Sequence, residues 1–310
     1  MDYERFVEEQ VAQIRHAVGD ATAINALSGG VDSSVVTVLG HRALGDRLKT
    51  YFIDDALMRQ AEPERVVKTF GKMGIHVEVV DAKREFLRAL RGLTDPEQKR
   101  QAVTETFYRK VFGRLVRQTG ARFLLHGTIL TDIEETVAGI KRQHNILSQI
   151  GIDPQDEYGY AVLEPLKSLR KDGVRAVAKV LGLPPEISER MPFPGPGLAA
   201  RIVGEVTEAR LKTVRAATEI VEQELADSGA FQCMAVLLSD YATGVRNDKR
   251  EFGQIVVVRC VDSLDARVAT VTRLPWEKLE RVCARITQIE GVNRCLYDLT
   301  PKPPATIEYV

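Results

Sequence analysis

Residues 28–34, Ser-Gly-Gly-Val-Asp-Ser-Ser, carry the groups needed to hold an oxyanion. Ser28, Ser33 and Ser34 supply hydroxyl donors. Gly29 and Gly30 let the backbone come close to an anion and accept φ > 0. Asp32 beside a bound phosphate requires a cation between the two, which implies Mg²⁺. The loop is not a Walker A motif, since it lacks the Gly-x-x-x-x-Gly-Lys-Ser/Thr spacing.

Such a loop works only if its neighbours aim it. The apolar run Ile24, Ala26 and Leu27 reads as a buried strand, and Asp32-Ser33-Ser34 followed by Val35, Val36, Val38 and Leu39 reads as a helix start. Strand, glycine turn and helix N-terminus then form an anion site, because free N–H groups and the helix dipole both favour negative charge there. Helices are expected over 2–18, 62–70, 83–91 and 96–118, and strands over 50–54, 76–80 and 122–127. This alternation predicts a parallel α/β sheet, whose ligands gather at the carboxyl ends of the strands. Ser28, Asp54 and Gly127 all fall at such ends.

Residues 130–160 lack clean periodicity and read as a loop or lid. The run Pro192-Phe193-Pro194-Gly195-Pro196-Gly197 excludes helix and central strand, so a domain boundary is expected there, dividing 1–195 from 196–310. Beyond it, helices over 207–228 and 275–289 and strands at 235–238, 254–261 and 296–299 suggest a smaller α+β domain.

With 310 residues, two domains are the ordinary expectation. Zero formal net charge argues against nucleic-acid binding through bulk charge. No apolar run approaches the ~20 residues that span a bilayer, and residues 1–5 show no signal-peptide pattern, so no membrane partner and a cytoplasmic location are expected. Cys233, Cys260, Cys283 and Cys295 form no Cys-x-x-Cys pair and read as free thiols rather than zinc ligands.

The Ser28–Ser33 segment resembles the Ser-Gly-Gly-x-Asp-Ser signature of the ATP pyrophosphatases, or PP-loop enzymes. Later motifs narrow the resemblance to the GMP synthetases. Phe52-Ile53-Asp54 with Leu57-Met58-Arg59, Asp95-Pro96-Glu97-Gln98-Lys99-Arg100, His126-Gly127-Thr128-Ile129, Pro192 to Leu198, Gly204-Glu205-Val206-Thr207 and the ending Lys302-Pro303-Pro304-Ala305-Thr306-Ile307-Glu308 are each similar to a motif of that family. The resemblance runs from about residue 5 to 310 and is to the ATP-pyrophosphatase part, with no glutaminase domain.

It implies a doubly wound, adenine nucleotide alpha hydrolase-like PP-loop domain followed by an α+β dimerisation domain. It also implies ATP and Mg²⁺, xanthosine 5′-monophosphate (XMP) as acceptor, a homodimer, and a separate glutamine amidotransferase subunit or free ammonia. The implied pyrophosphate and metal set is Ser28, Gly29, Gly30, Asp32, Ser33 and Ser34, with Asp54, Gly127 and Thr128 at the ATP and Asp132 and Glu135 at the metal or ribose. Lys141, Lys171 and Asp172 are implied at the reacting phosphate, and Arg59 near the nucleotide phosphate. Gln232, Arg294, Lys302, Ile307 and Glu308 are implied at the second nucleotide, the cations suiting its 5′-phosphate and Glu308 its purine edge.

Departures from the family pattern cluster in the lid and its flank: Gln143 for His, Leu147-Ser148 for Gly-Gly, and Gly173 for Glu. Two readings therefore stand side by side. One is XMP amination; the other is a related ligase acting on another nucleotide or with another nucleophile.

Overall fold

The computed structural model describes residues 1–137, 160–264 and 266–309, with backbone alone at 135–137. They fall into two compact units: Met1–Asp54, Glu62–Ala82 and Phe107–Arg190 in the first, and Asp55–Ala61, Lys83–Thr106 and Met191–Val310 in the second. The sequence predicts one boundary at residue 195. The observed division falls after Arg190 and also assigns two earlier segments to the second unit.

The first unit is built on five parallel strands: β1 (Ala23–Ala26), β2 (Leu48–Asp54), β3 (Val77–Asp81), β4 (Phe123–Leu125) and β5 (Ala161–Leu163). Their order is β3-β2-β1-β4-β5, so the direction of winding reverses between β1 and β4. That reversal opens a crevice outside the carboxyl ends of those two strands. Helix Val31–Leu44 follows β1 and buries Val35, Val36, Val38 and Leu39. Gly40 permits its close seat, because a Cβ there would lie 2.6 Å from Leu125 Cδ2 and 2.9 Å from Leu48 Cδ2.

A polar thread fixes this helix to the sheet. Thr37 Oγ1 donates to Ser33 O at 2.7 Å and accepts from Asn25 Nδ2 at 2.6 Å, while Thr50 Oγ1 donates to Asn25 Oδ1 at 2.8 Å. Asn25, Thr37 and Thr50 are all buried, so each needs its partner.

The segment expected as one helix over 96–118 is three pieces: α-helix Pro96–Glu105, a π-helical stretch Thr106–Phe112, and α-helix Gly113–Thr119. The wider π turn re-aims its aromatic side chains, and Phe107 stacks on Phe112, five residues on, at 6.2 Å.

The second unit carries a sheet of β6 (Gln232–Arg246), β7 (Lys249–Asp262), β8 (Thr270–Val271) and β9 (Val292–Tyr297). β6 and β7 form a long antiparallel hairpin, and β9 pairs with β7 in parallel. Asn247 and Asp248 make the turn, both at positive φ (50° and 59°), which suits the right-handed twist of the strands. Helix Glu208–Glu224 packs on β6. Met234, Val236, Val257, Val261, Ala269 and Ile307 form one core cluster of this unit. Among the described residues no helix is long and apolar enough to cross a membrane.

Candidate active site

The Ser28–Ser34 loop lies at the winding reversal. Ser28 follows β1, Gly127 follows β4, and a Cβ on Gly127 would lie 3.3 Å from Asp32 C and from Ser33 N. Glycine thus lets the end of β4 press against the helix start. Gly29 has φ +78° and needs its freedom; a Cβ there would also lie 2.6 Å from Glu62 Oε1. Gly30 corrects the sequence expectation: at φ −77° and ψ 158° it is extended backbone, and it acts as the helix N-cap with no side-chain hydrogen bond. The helix therefore starts at Val31, not Asp32, and its first turn is not capped by Gly30.

The loop is tied together by its own hydroxyls. Ser28 Oγ and Ser33 Oγ are 3.0 Å apart, Ser28 N donates to Ser33 Oγ at 3.2 Å, and Ser33 Oγ donates to Gly30 O at 3.1 Å. Lys171 Nζ donates to Asp32 Oδ2 at 2.6 Å. Lys171 is 44% exposed, so the pair contributes at most about 1 kcal/mol to stability and matters for the site rather than the fold. The other oxygen, Asp32 Oδ1, is buried with no hydrogen-bond partner, and so is Ser34 Oγ. A carboxylate oxygen orphaned beside the loop's serine hydroxyls has the chemistry of a Mg²⁺ ligand. Magnesium bound through one carboxylate and substrate phosphates needs no wider acidic cluster, and the described residues show none.

A cavity of about 150 Å³ adjoins the loop. Ser28, Gly30, Asp32 and Ser33 form its polar side, and Phe107, Tyr108, Phe112 and His126 its aromatic side. The His126 tautomer follows from its partners. Thr128 Oγ1 donates to Glu164 Oε1 at 2.6 Å, so at 2.8 Å it must accept from His126 Nδ1–H. Nε2 is left to accept from Tyr108 OH at 3.4 Å. Burial pushes the imidazole down to about 4, against a smaller opposing effect of Glu164, and burial likewise raises the Tyr108 phenol. Sequence reasoning missed Tyr108 and His126 as cavity walls. The position of His126 immediately before Gly127 at the end of a predicted strand was the available signal.

The remaining first-unit candidates are placed as follows. Asp54 ends β2 on the same rim of the sheet. Asp132 Oδ2 accepts from Ile129 N at 3.0 Å, capping the start of helix Leu130–Val137. Asp172 is exposed in the first turn of helix Lys171–Val180, and Gly173 is buried against Leu169. Lys141, the departures at Gln143, Leu147 and Ser148, and the Glu135 side chain lie outside the described residues.

In the second unit, Gln232, Ile307 and Glu308 come together. Gln232 Nε2 donates to Glu308 Oε1 at 2.6 Å, and Ile307 enters the core cluster. The carboxyl-terminal segment is held by Arg259, which has no exposed side-chain surface. It donates to Asp298 Oδ2 and Thr300 O at 2.7 Å, Thr306 O at 3.0 Å and Ile307 O at 3.1 Å. Lys302 Nζ donates to Ala266 O at 2.7 Å, and Arg294 is exposed on β9. Arg59 is buried, pairs with Glu222, and lies 4.0 Å from the Phe193 ring centroid. Lys99 is buried too. It donates to Ile202 O at 2.6 Å, Gly204 O at 3.1 Å and Ala199 O at 3.4 Å, and burial lowers it to about 8.

Residues 218–309 match the family described as GMP synthase C terminal domain. A GMP synthase (glutamine-hydrolyzing) subunit from Archaeoglobus fulgidus is 52% identical over 310 residues, covering 100% of both chains. The subunit of the same name from Pyrococcus horikoshii is 47% identical over 313 aligned residues, again covering 100% of each chain. The chain belongs to this family of GMP synthase subunits. It is therefore a ligase of the PP-loop ATP pyrophosphatase class. Among solved structures, an NH3-dependent NAD synthetase from Campylobacter jejuni, in complex with the nitrate ion, aligns with a TM-score of 0.48 at 14% identity. That alignment covers 74% of this chain and 88% of the other.

Proposed function

We propose that this GMP synthase subunit converts XMP to GMP in two steps at the expense of ATP. The XMP O2 oxygen attacks the α-phosphorus of ATP, the α–β phosphoanhydride bond breaks, and pyrophosphate leaves. Ammonia then attacks C2 of the adenylylated base, loses a proton, and AMP departs. Activation comes first because an amide-like oxygen is a poor leaving group and a phosphoester is a good one.

One observation carries this reading. At the winding reversal, a helix start that its N-cap residue leaves uncapped and two buried, partnerless oxygens, Asp32 Oδ1 and Ser34 Oγ, meet in one loop. The helix N-terminus and the serine hydroxyls suit the departing pyrophosphate. Mg²⁺, held by Asp32 and phosphate oxygens, would neutralise the charge that develops there. Lys171, already at Asp32, supplies a cation at the same place. The aromatic side of the cavity suits a flat base. In the second unit, Gln232, Lys302, Ile307 and Glu308 are the residues for XMP, with Arg294 and Lys302 supplying cations for its phosphate.

Ammonia comes from a partner glutaminase or from solution; the relatives' designation as one subunit of a glutamine-hydrolyzing synthase supports the former. Exposed Tyr241, Val245 and Phe252 on the β6–β7 hairpin support self-association as a homodimer. The test is pyrophosphate release in the presence of ATP, Mg²⁺, ammonium and XMP. GMP and AMP appearing in equal amounts is the expected result. Release that ignores XMP but follows another nucleotide would instead favour the related-ligase reading.

A further inference from the structure

Glu308 is two residues from the last position of the sequence, yet both of its carboxylate oxygens are bound. Arg201 Nε donates to Oε2 at 3.2 Å and Arg201 Nη2 to Oε1 at 3.1 Å, a two-pronged grip, and Gln232 Nε2 adds 2.6 Å to Oε1. Arg201 reaches Glu308 from the turn Gly197–Arg201, which follows the proline-glycine run, and the Phe193 ring lies 4.8 Å from its guanidinium. Its side chain is 1% exposed, against 15% for Glu308. Arg201 Nη1 is buried and has no hydrogen-bond partner.

We infer that Arg201 is a positioning residue for the acceptor nucleotide, acting through Glu308; this rests on the XMP reading above. A carboxylate offers about four lone-pair directions, and Arg201 and Gln232 take three. What is left, on a carboxylate that cannot rotate, is one acceptor aimed at a ring N–H of a 6-oxopurine. A planar guanidinium fork fixes that orientation in a way a single ammonium does not. A staple serving stability alone has no use for a buried donor left unpaired, and Arg201 keeps one in Nη1. Nor does a motif requirement for a backbone turn call for arginine at this position, since Leu198, Ala199 and Ala200 carry the buried apolar contacts of the same turn.

The test uses the full chain and compares wild type with R201Q, R201K, E308Q and the double variant R201Q/E308Q, measuring kcat and the separate KM values for XMP and ATP. R201Q is expected to raise the XMP KM by about tenfold or more, with the ATP KM unmoved and kcat at saturating XMP much less affected. R201K, keeping charge but not the fork, falls between. Because Arg201 acts through Glu308, R201Q on top of E308Q adds less than about threefold. Unmoved XMP KM in both Arg201 variants, loss confined to kcat, equal damage to both KM values, or multiplying effects in the double variant would each overturn the inference. Should R201Q fail to fold, the XMP KM of R201K decides. A wild-type chain without XMP-dependent release refutes the functional reading itself, which no result on the variants of an active enzyme does.

Discussion

Gly29 and Gly30 are neighbours of one residue type, and the structure gives them opposite sensitivities. In Gly29→Ala, the new Cβ enters backbone at φ +78°, where an L-residue costs about 1–2 kcal/mol. It also lies 2.6 Å from Glu62 Oε1 and 3.2 Å from Val66 Cγ2, so Glu62 must move. Glu62 is 2% exposed and paired with Arg190, whose Nη2 donates to Oε2 at 2.6 Å. Breaking such a buried pair costs about 3–5 kcal/mol, and a partial shift costs a fraction of that. A total loss of about 2–5 kcal/mol follows. In Gly30→Ala, φ −77° is open to any residue and the Cβ meets only Ser28 Oγ at 3.4 Å. The gain from a stiffer unfolded chain, about 0.4–1 kcal/mol, offsets the loss of a preferred N-cap glycine, leaving a change near zero. Urea unfolding of the two variants beside wild type measures the difference, expected at about 2 kcal/mol or more. Equal stabilities, or a larger loss in Gly30→Ala, would refute the assignment of these backbone conformations.

Three other outcomes are expected. Asp32→Ala should lower turnover at least about 100-fold while moving stability by no more than about 1 kcal/mol; more than a tenth of wild-type activity would remove Asp32 from the metal assignment. His126 is held neutral down to about 4, below its ordinary 6.5, so the unfolded chain takes up the proton first. Stability is then lost as pH falls from 6.5 to about 4, by up to about 3 kcal/mol, and a His126→Gln variant should show a shallower pH dependence of urea unfolding across that window. Thr37→Val leaves Asn25 Nδ2 buried without its 2.6 Å partner and should cost about 1–3 kcal/mol in the same assay; an unchanged midpoint would show the thread to be dispensable.

The loop was legible because its chemistry is contiguous: seven residues hold the strand end, the turn, the hydroxyls and the carboxylate. Ser28, Asp54 and Gly127 were placed correctly on one rim because each ends a short apolar run, and parallel strands share a carboxyl edge. The cavity wall was not legible. Phe107, Tyr108 and Phe112 sit in a π-helical stretch that apolar spacing blends into the α-helices on either side. The outer hairpin, residues 239–253, was missed because much of it is exposed on both faces and shows no buried alternation. Arg201 and Arg259 gave the least warning. Each is a single charge in an apolar run, and only tertiary structure shows that Arg259 ties down the carboxyl-terminal segment and Arg201 grips Glu308.

How the buried polar groups are satisfied says where ligands belong. Arg259, with no surface of its own, finds four acceptors, and Thr50, Asn25 and Thr37 bond in series and end on Ser33 O. A fold able to pair these groups is under no general shortage of partners. Among the described residues, five buried side-chain atoms are nevertheless unpaired. Arg175 Nε and Thr218 Oγ1 belong to helical residues, and nothing else marks their surroundings. The other three are Asp32 Oδ1, Ser34 Oγ and Arg201 Nη1. Two of these lie in the Ser28–Ser34 loop, proposed above to hold the pyrophosphate and Mg²⁺. The third lies on the residue that grips the carboxylate proposed for the purine. An unmade hydrogen bond costs about 1–3 kcal/mol while the site is empty, and that cost disappears when a substrate supplies the partner. For Asp32 Oδ1 and Ser34 Oγ, placing the unpaired groups where ATP is proposed to bind turns a penalty of the free protein into affinity for that substrate.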